Sequence, residues 1–167
     1  MANVIVFHSV LGMRKGVTGF ADRLREQGHQ VFPVDLYDGK VFDHMDEAFG
    51  HFLEIGIPEM MDRTMRYTRD LPENAVTVGF SNGGASALLL AGSRPGAKGC
   101  ILLHAALPLG ELGIGRWPSH VPVDVHYAVD DPWKNDEDIR QLGEDIRRSG
   151  AAFALYEYPV SGHLFTD

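Results

Sequence analysis

One serine in the chain sits where a serine can be made to react. Residues 76–84 read Val-Thr-Val-Gly-Phe-Ser-Asn-Gly-Gly. The apolar run ends in Gly79-Phe80-Ser81-Asn82-Gly83, and a small-residue helix is expected directly after it. A Gly-x-Ser-x-Gly match acquires meaning in this strand–turn–helix setting, because the sharp turn exposes the serine at a sheet edge. Side chains at Gly79 or Gly83 would crowd the neighbouring strand and helix. The amide of Asn82, opening the helix, is placed to meet a developing oxyanion. An incidental serine in a tight turn is the plainer alternative, and the flanking pattern argues against it.

A serine hydroxyl is a weak nucleophile until a base removes its proton, and the base needs a carboxylate to fix its tautomer. His163 follows Val160-Ser161-Gly162, a turn-like segment after a strand, and is the candidate base. His8, His104 and His126 lie in or at the ends of buried strands, where packing or pocket lining is the expected role. The carboxylate is Asp130 or Asp131, both just after the fifth strand. The chain order Ser…Asp…His is that of the α/β-hydrolases.

The elements that must position these groups read as alternating strands and helices. Apolar runs at 4–7, 31–34, 75–80, 99–104, 123–128 and 152–158 predict six strands. Pro33 favours an edge position for the second. Helices are expected after Gly16, over 45–55, over 59–69 opened by Pro58, over 84–91, and over 137–149 behind an Asn135-Asp136 cap. Phe49, Met60, Met61 and Met65 are expected to fill the core, with a methionine-rich binding face as the weaker alternative. Residues 105–122, rich in Gly and Pro, predict an irregular cover over one sheet end. The alternation implies a mostly parallel, doubly wound sheet of about six or more strands, helices on both faces, in a single domain over 1–167. In such sheets functional residues gather beyond the strand C-termini, where His8, Asp35, Ser81, His104, Asp130, Asp131 and His163 all fall.

The net charge of −8 argues against nucleic acid or an anionic membrane as partner. Cys100 is the single cysteine, so no internal disulfide can form and a cytoplasmic location is expected. The N-terminus runs straight into the first strand, with no signal peptide or membrane span in view. The histidines show no ligand spacing, so no metal is expected. Residues 79–84 lack the spacing and lysine of a phosphate-binding loop.

Taken together, these segments resemble the dienelactone hydrolase family over nearly the whole chain. The resemblance rests on Val4-Ile5-Val6-Phe7-His8-Ser9-Val10-Leu11-Gly12, on the stretch from Gln27 to Asp35-Leu36-Tyr37, and on Gly79-Phe80-Ser81-Asn82-Gly83-Gly84. It extends to His126-Tyr127-Ala128-Val129-Asp130-Asp131-Pro132 and Gly162-His163-Leu164-Phe165. It implies a compact α/β-hydrolase fold with Ser81 as nucleophile, Asp131 as acid and His163 as base. The amides of Val10 and Asn82 would form the oxyanion hole. The family's name-giving enzymes carry cysteine at the nucleophile position, and Ser9 stands where they have a loop glutamate. Their carboxylate-holding arginines have no clear match, although Arg14, Lys15, Lys40 and Arg116 are available. The chain ends four residues after His163, where such folds add a helix. A missing helix would leave an apolar surface that invites a homodimer.

The expectation is therefore a small serine hydrolase that cleaves a carboxylic ester, lactone or thioester through an acyl-enzyme, with no cofactor. Leu11 and Trp117 are expected to bind substrate, with Phe7, Phe42 and Leu107 as further apolar walls. The rival is a catalytically silent α/β module that binds a small molecule.

Overall fold

The computed structural model describes residues 1–166. Its elements, in chain order, are β1 (Asn3–Phe7), α1 (Lys15–Glu26), β2 (Gln30–Val34), α2 (Met45–Ile55), α3 (Ile57–Thr68), β3 (Ala75–Phe80), α4 (Gly83–Ser93), β4 (Gly99–Leu103), a 3-10 turn (Leu109–Leu112), β5 (Val123–Asp130), α5 (Asp136–Arg148) and β6 (Phe153–Ser161). The strands form one sheet in the order β2-β1-β3-β4-β5-β6, and every neighbouring pair is parallel. Pro33 lies in the edge strand β2, where a missing N–H costs least.

Alternation along the strands divides the core. Val4, Val6, Val78, Phe80 and Leu103 pack under α1 through Val17 and Ala21. Ile5, Phe7, Leu102, Val123, Val125 and Tyr127 point the other way, into a larger core with α3, α4 and α5. Two expectations for α2 and α3 fail: Phe49 and Met65 are 40% and 42% exposed. The face α3 turns inward is Met60, Thr64 and Thr68, a spacing of four that puts Met65 on the outer side. The threonines tolerate burial because their hydroxyls donate to backbone one turn back, Thr64 to Met60 O at 2.9 Å and Thr68 to Thr64 O at 2.7 Å. On α2, Ala48 faces inward, and Phe49 instead packs on the Trp133 ring at 5.8 Å.

The winding order places the chemistry. Because β2 lies on one side of β1 and β3 on the other, the loops after β1 and β3 meet at a topological switch point. Phe7 pairs in register with Gly79, so the segments beginning at His8 and Ser81 leave the sheet side by side. At the far edge, β5 and β6 bulge between Ala128 and Asp130, and Asp130 pairs with Ser161. That pairing carries β6 three residues beyond the expected end and brings His163 to the same sheet edge.

Candidate active site

Ser81 sits at φ +51° between β3 and α4, a left-handed conformation that a non-glycine residue holds only under constraint. Its amide donates to Leu103 O at 2.8 Å, and its carbonyl accepts from the Gly84 amide at 2.8 Å. The flanking glycines make the turn possible by close approach. A Cβ on Gly79 would lie 2.3 Å from Gly83 O, and one on Gly83 would lie 2.4 Å from His8 O. The second contact shows how closely the start of α4 is pressed against the loop after β1.

His163 Nε2 is 2.7 Å from Ser81 Oγ, and its Nδ1 is 2.8 Å from Asp131 Oδ2 and 3.0 Å from Oδ1. A carboxylate can only accept, so the imidazole carries its proton on Nδ1 and presents Nε2 as an acceptor toward the serine. The Asp131 side chain is fully buried, and Oδ1 also accepts from the Trp133 amide at 2.9 Å. Asp130, one residue earlier, is exposed. The Trp133 ring lies over His163 with centroids 4.4 Å apart. On the other side His104 meets His163 edge-on at 5.5 Å, and His104 Nε2 is hydrogen-bonded with Thr166 Oγ1 at 2.8 Å. Burial, with His163 adding to it, pushes His104 down to about 4. It therefore stays neutral near pH 7 and does not oppose a positive charge forming on His163.

The loop after β1 is held by His8. The Leu36 amide donates to His8 Nε2 at 3.0 Å, which leaves the proton on Nδ1, and Nδ1 donates to Ser9 O at 2.6 Å. The ring is 1% exposed, and burial lowers its basicity, keeping it neutral. Leu11 N donates to Ser9 Oγ at 3.2 Å, so the Ser9 hydroxyl works as a loop brace. Among the described residues, neither the Val10 nor the Asn82 amide donates to a protein acceptor. Replacing His8 by leucine would orphan both the Leu36 amide and the Ser9 carbonyl. A loss of roughly 2–4 kcal/mol of stability is expected by urea denaturation, with a turnover loss in the fraction that remains folded.

Two cavities border the neighbours of Ser81, one at His163 and one at Asn82. One, of about 400 Å³, is lined by Leu11, Arg14, Met45, Trp133, His163 and Leu164. The other, of about 160 Å³, lies beside the head of α4 and includes Asn82, Ala85 and Leu107 in its wall. Leu11 and Leu107 thus stand where the sequence suggested. Trp117 does not: it is 1% exposed, and its Nε1 donates to Val121 O at 2.7 Å, which satisfies the indole inside the core. Phe7 is likewise wholly buried in the core. Phe42 is partly buried against Tyr37 and His51. Trp133, Met45 and Leu164 were not singled out in the sequence. Leu164 follows His163 directly in the matched motif, and Trp133 lies two residues after Asp131.

Cys100 offers no alternative nucleophile, since it is buried and burial pushes its thiol up to about 12. Among the described residues no cluster of three or more His, Cys, Asp or Glu side chains is placed to hold a metal. Among the described residues no helix is long and apolar enough to cross a membrane.

A parallel six-stranded sheet, wound in this order with helices on both faces, is the α/β-hydrolase fold. The chain belongs to the dienelactone hydrolase family, whose model matches residues 1–167, and as a member it is a hydrolase acting on ester bonds. It is 25% identical to a carboxymethylenebutenolidase of Rhodococcus opacus, covering 97% of this chain and 69% of that protein. It is 24% identical to protein usf of Aquifex pyrophilus, over 98% of this chain and 76% of the other. Among solved structures, a dienelactone hydrolase-like promiscuous phosphotriesterase from metagenomic libraries superposes with a TM-score of 0.81. That pair is 24% identical and covers 100% of this chain and 73% of that one. A thermophilic esterase of Thermogutta terrifontis matches at a TM-score of 0.67 and 15% identity, over 98% of this chain and 72% of the other.

Proposed function

We propose that Ser81, His163 and Asp131 act as a catalytic triad that hydrolyses a small neutral carboxylic ester, lactone or thioester through an acyl-enzyme. The observation that carries this reading is the unbroken chain from Ser81 Oγ to His163 Nε2 at 2.7 Å and from Nδ1 to Asp131 Oδ2 at 2.8 Å.

In the first half-reaction, Nε2 takes the Oγ proton as Oγ attacks the carbonyl carbon. The negative charge moves to the carbonyl oxygen, where the Val10 and Asn82 amides receive it. Asp131 stabilises the imidazolium, which then hands the proton from Nε2 to the departing alkoxide or thiolate. In the second half, a water loses its proton to Nε2 and attacks the acyl-enzyme; the same proton returns to Ser81 Oγ as the acid leaves. The steps use the chain's own side chains and backbone amides together with one water, and require no cofactor. The reaction suits a reducing cytoplasm, since no disulfide supports it.

The test is turnover of p-nitrophenyl butyrate against an anionic dienelactone. Butyrate is expected to be hydrolysed faster. Faster turnover of the dienelactone would overturn the neutral-substrate assignment. Binding of both without turnover would replace the proposal by a silent binding module.

A further inference from the structure

The cavities bordering His163 and Asn82 differ in chemistry, and the group that each one borders assigns it. A carbonyl carbon attacked by Ser81 Oγ carries three other substituents: the oxyanion, the leaving atom and the acyl chain. On the reading above, the oxyanion turns to the Val10 and Asn82 amides, and the leaving atom must lie toward His163 Nε2 to receive its proton. The cavity that contains His163, walled by Leu11, Met45, Trp133 and Leu164, is therefore on the leaving-group side. The cavity that contains Asn82 but not His163 is left for the acyl chain.

From this we infer that the cavity between α3, the head of α4 and the 3-10 turn is an acyl subsite selecting an uncharged hydrocarbon chain of about six carbons. Asn82, directly after Ser81, and Ala85 and Ser86 in the first turn of α4 form the wall nearest the elbow. Phe52, Met60, Met61, Leu107 and Leu112 complete an almost wholly apolar lining. The volume is about 160 Å³, and an apolar cavity of about 150 Å³ accommodates a benzene-sized group. The two methionines let the wall follow a flexible chain.

The polar groups at this site supply no counter-ion for an acid: Asn82 Oδ1 is buried without a partner among the described residues and can only accept. The Ser86 and Thr64 hydroxyls are paired at 2.8 Å. The lining holds no lysine, arginine or histidine, and its one charged residue is Glu111, so a carboxylated acyl chain meets repulsion and no counter-ion. Specificity for a neutral aliphatic acyl group thus follows from the wall.

The inference rests on the proposed acyl-enzyme reaction, and the experiment separates the two. p-Nitrophenyl esters from acetate to dodecanoate hold the leaving group constant. kcat/KM is expected to rise about threefold to fourfold per methylene to a maximum near hexanoate, then fall. Met61→Trp narrows the cavity and should move the maximum at least two carbons shorter, lowering the hexanoate-to-acetate ratio about tenfold. Leu112→Ala widens it and should move the maximum longer. In acetate esters of increasing alcohol length, neither variant should shift the optimum. A flat acyl profile, shifts of both variants in one direction, or shifts that follow the alcohol would overturn the subsite while leaving the reaction standing. Failure of wild type to hydrolyse any ester would overturn both.

Discussion

Ser81→Ala is expected to retain the fold and lower ester turnover by about 10⁶-fold, the loss typical when one member of a triad acting as a unit is removed. The expectation follows from the division of labour at the site. Without Oγ no acyl-enzyme can form, yet the Val10 and Asn82 amides proposed to hold the oxyanion remain, as do both cavities. A small rate above that of water should therefore persist, from binding and oxyanion stabilisation alone. The fold should survive because, among the described residues, Ser81 Oγ bonds only to His163, and because the turn is held by backbone bonds from Ser81 N to Leu103 O and from Gly84 N to Ser81 O. Alanine meets the same left-handed backbone as serine at φ +51°, so strain changes little. Circular dichroism with a p-nitrophenyl ester assay checks both halves of the statement. Turnover within tenfold of wild type in a folded variant would remove Ser81 from the chemistry.

The second large effect separates two adjacent aspartates. Asp131→Asn should lower turnover about 10⁴-fold with the fold intact, because an amide in place of the carboxylate can donate to Nδ1. His163 would then carry its proton on Nε2, facing the serine as a donor, and could not act as base. An imidazolium, if formed, would also lose its partner. Asp130→Asn should change turnover by no more than roughly twofold, as expected at an exposed position. Asp130 takes part through its backbone, accepting from the Gly162 amide at 3.4 Å, and that bond does not depend on its side chain. A collapse confined to Asp130→Asn would move the acid one residue back.

Much of this arrangement was legible before the structure because local constraints coincided. Around Ser81, the apolar run, the two glycines and the small-residue helix all report one steric fact, the 2.3–2.4 Å approaches that forbid a Cβ. Strand positions followed from continuous apolar runs, and the edge place of β2 followed from Pro33. The failures share a different cause. Trp117 in a Gly- and Pro-rich stretch reads as a pocket wall, but the carbonyl of Val121, four residues on, lets its indole be buried completely. Met65 and Phe49 read as core because they are apolar, while Thr64 and Thr68 took the inward face by donating to their own helix. The end of β6 was misplaced because its last residues are held by a bulged pairing with β5, a long-range event with no local signature. The small cavity was invisible for the same reason: its wall draws on α2, α3, α4, the loop after β4 and the 3-10 turn.

The central claim is that Ser81 is an activated nucleophile, and no other serine shares its setting. Ser9 Oγ is engaged by the Leu11 amide, and Ser161 ends an exposed edge strand, where no histidine among the described residues is hydrogen-bonded to it. Fluorophosphonate labelling of the wild-type protein, followed by peptide mapping, tests the claim most directly. The account predicts a single adduct on Ser81, absent in Ser81→Ala and formed far more slowly in Asp131→Asn. An adduct on Ser9 or Ser161, or no adduct on a protein that still hydrolyses esters, would contradict it.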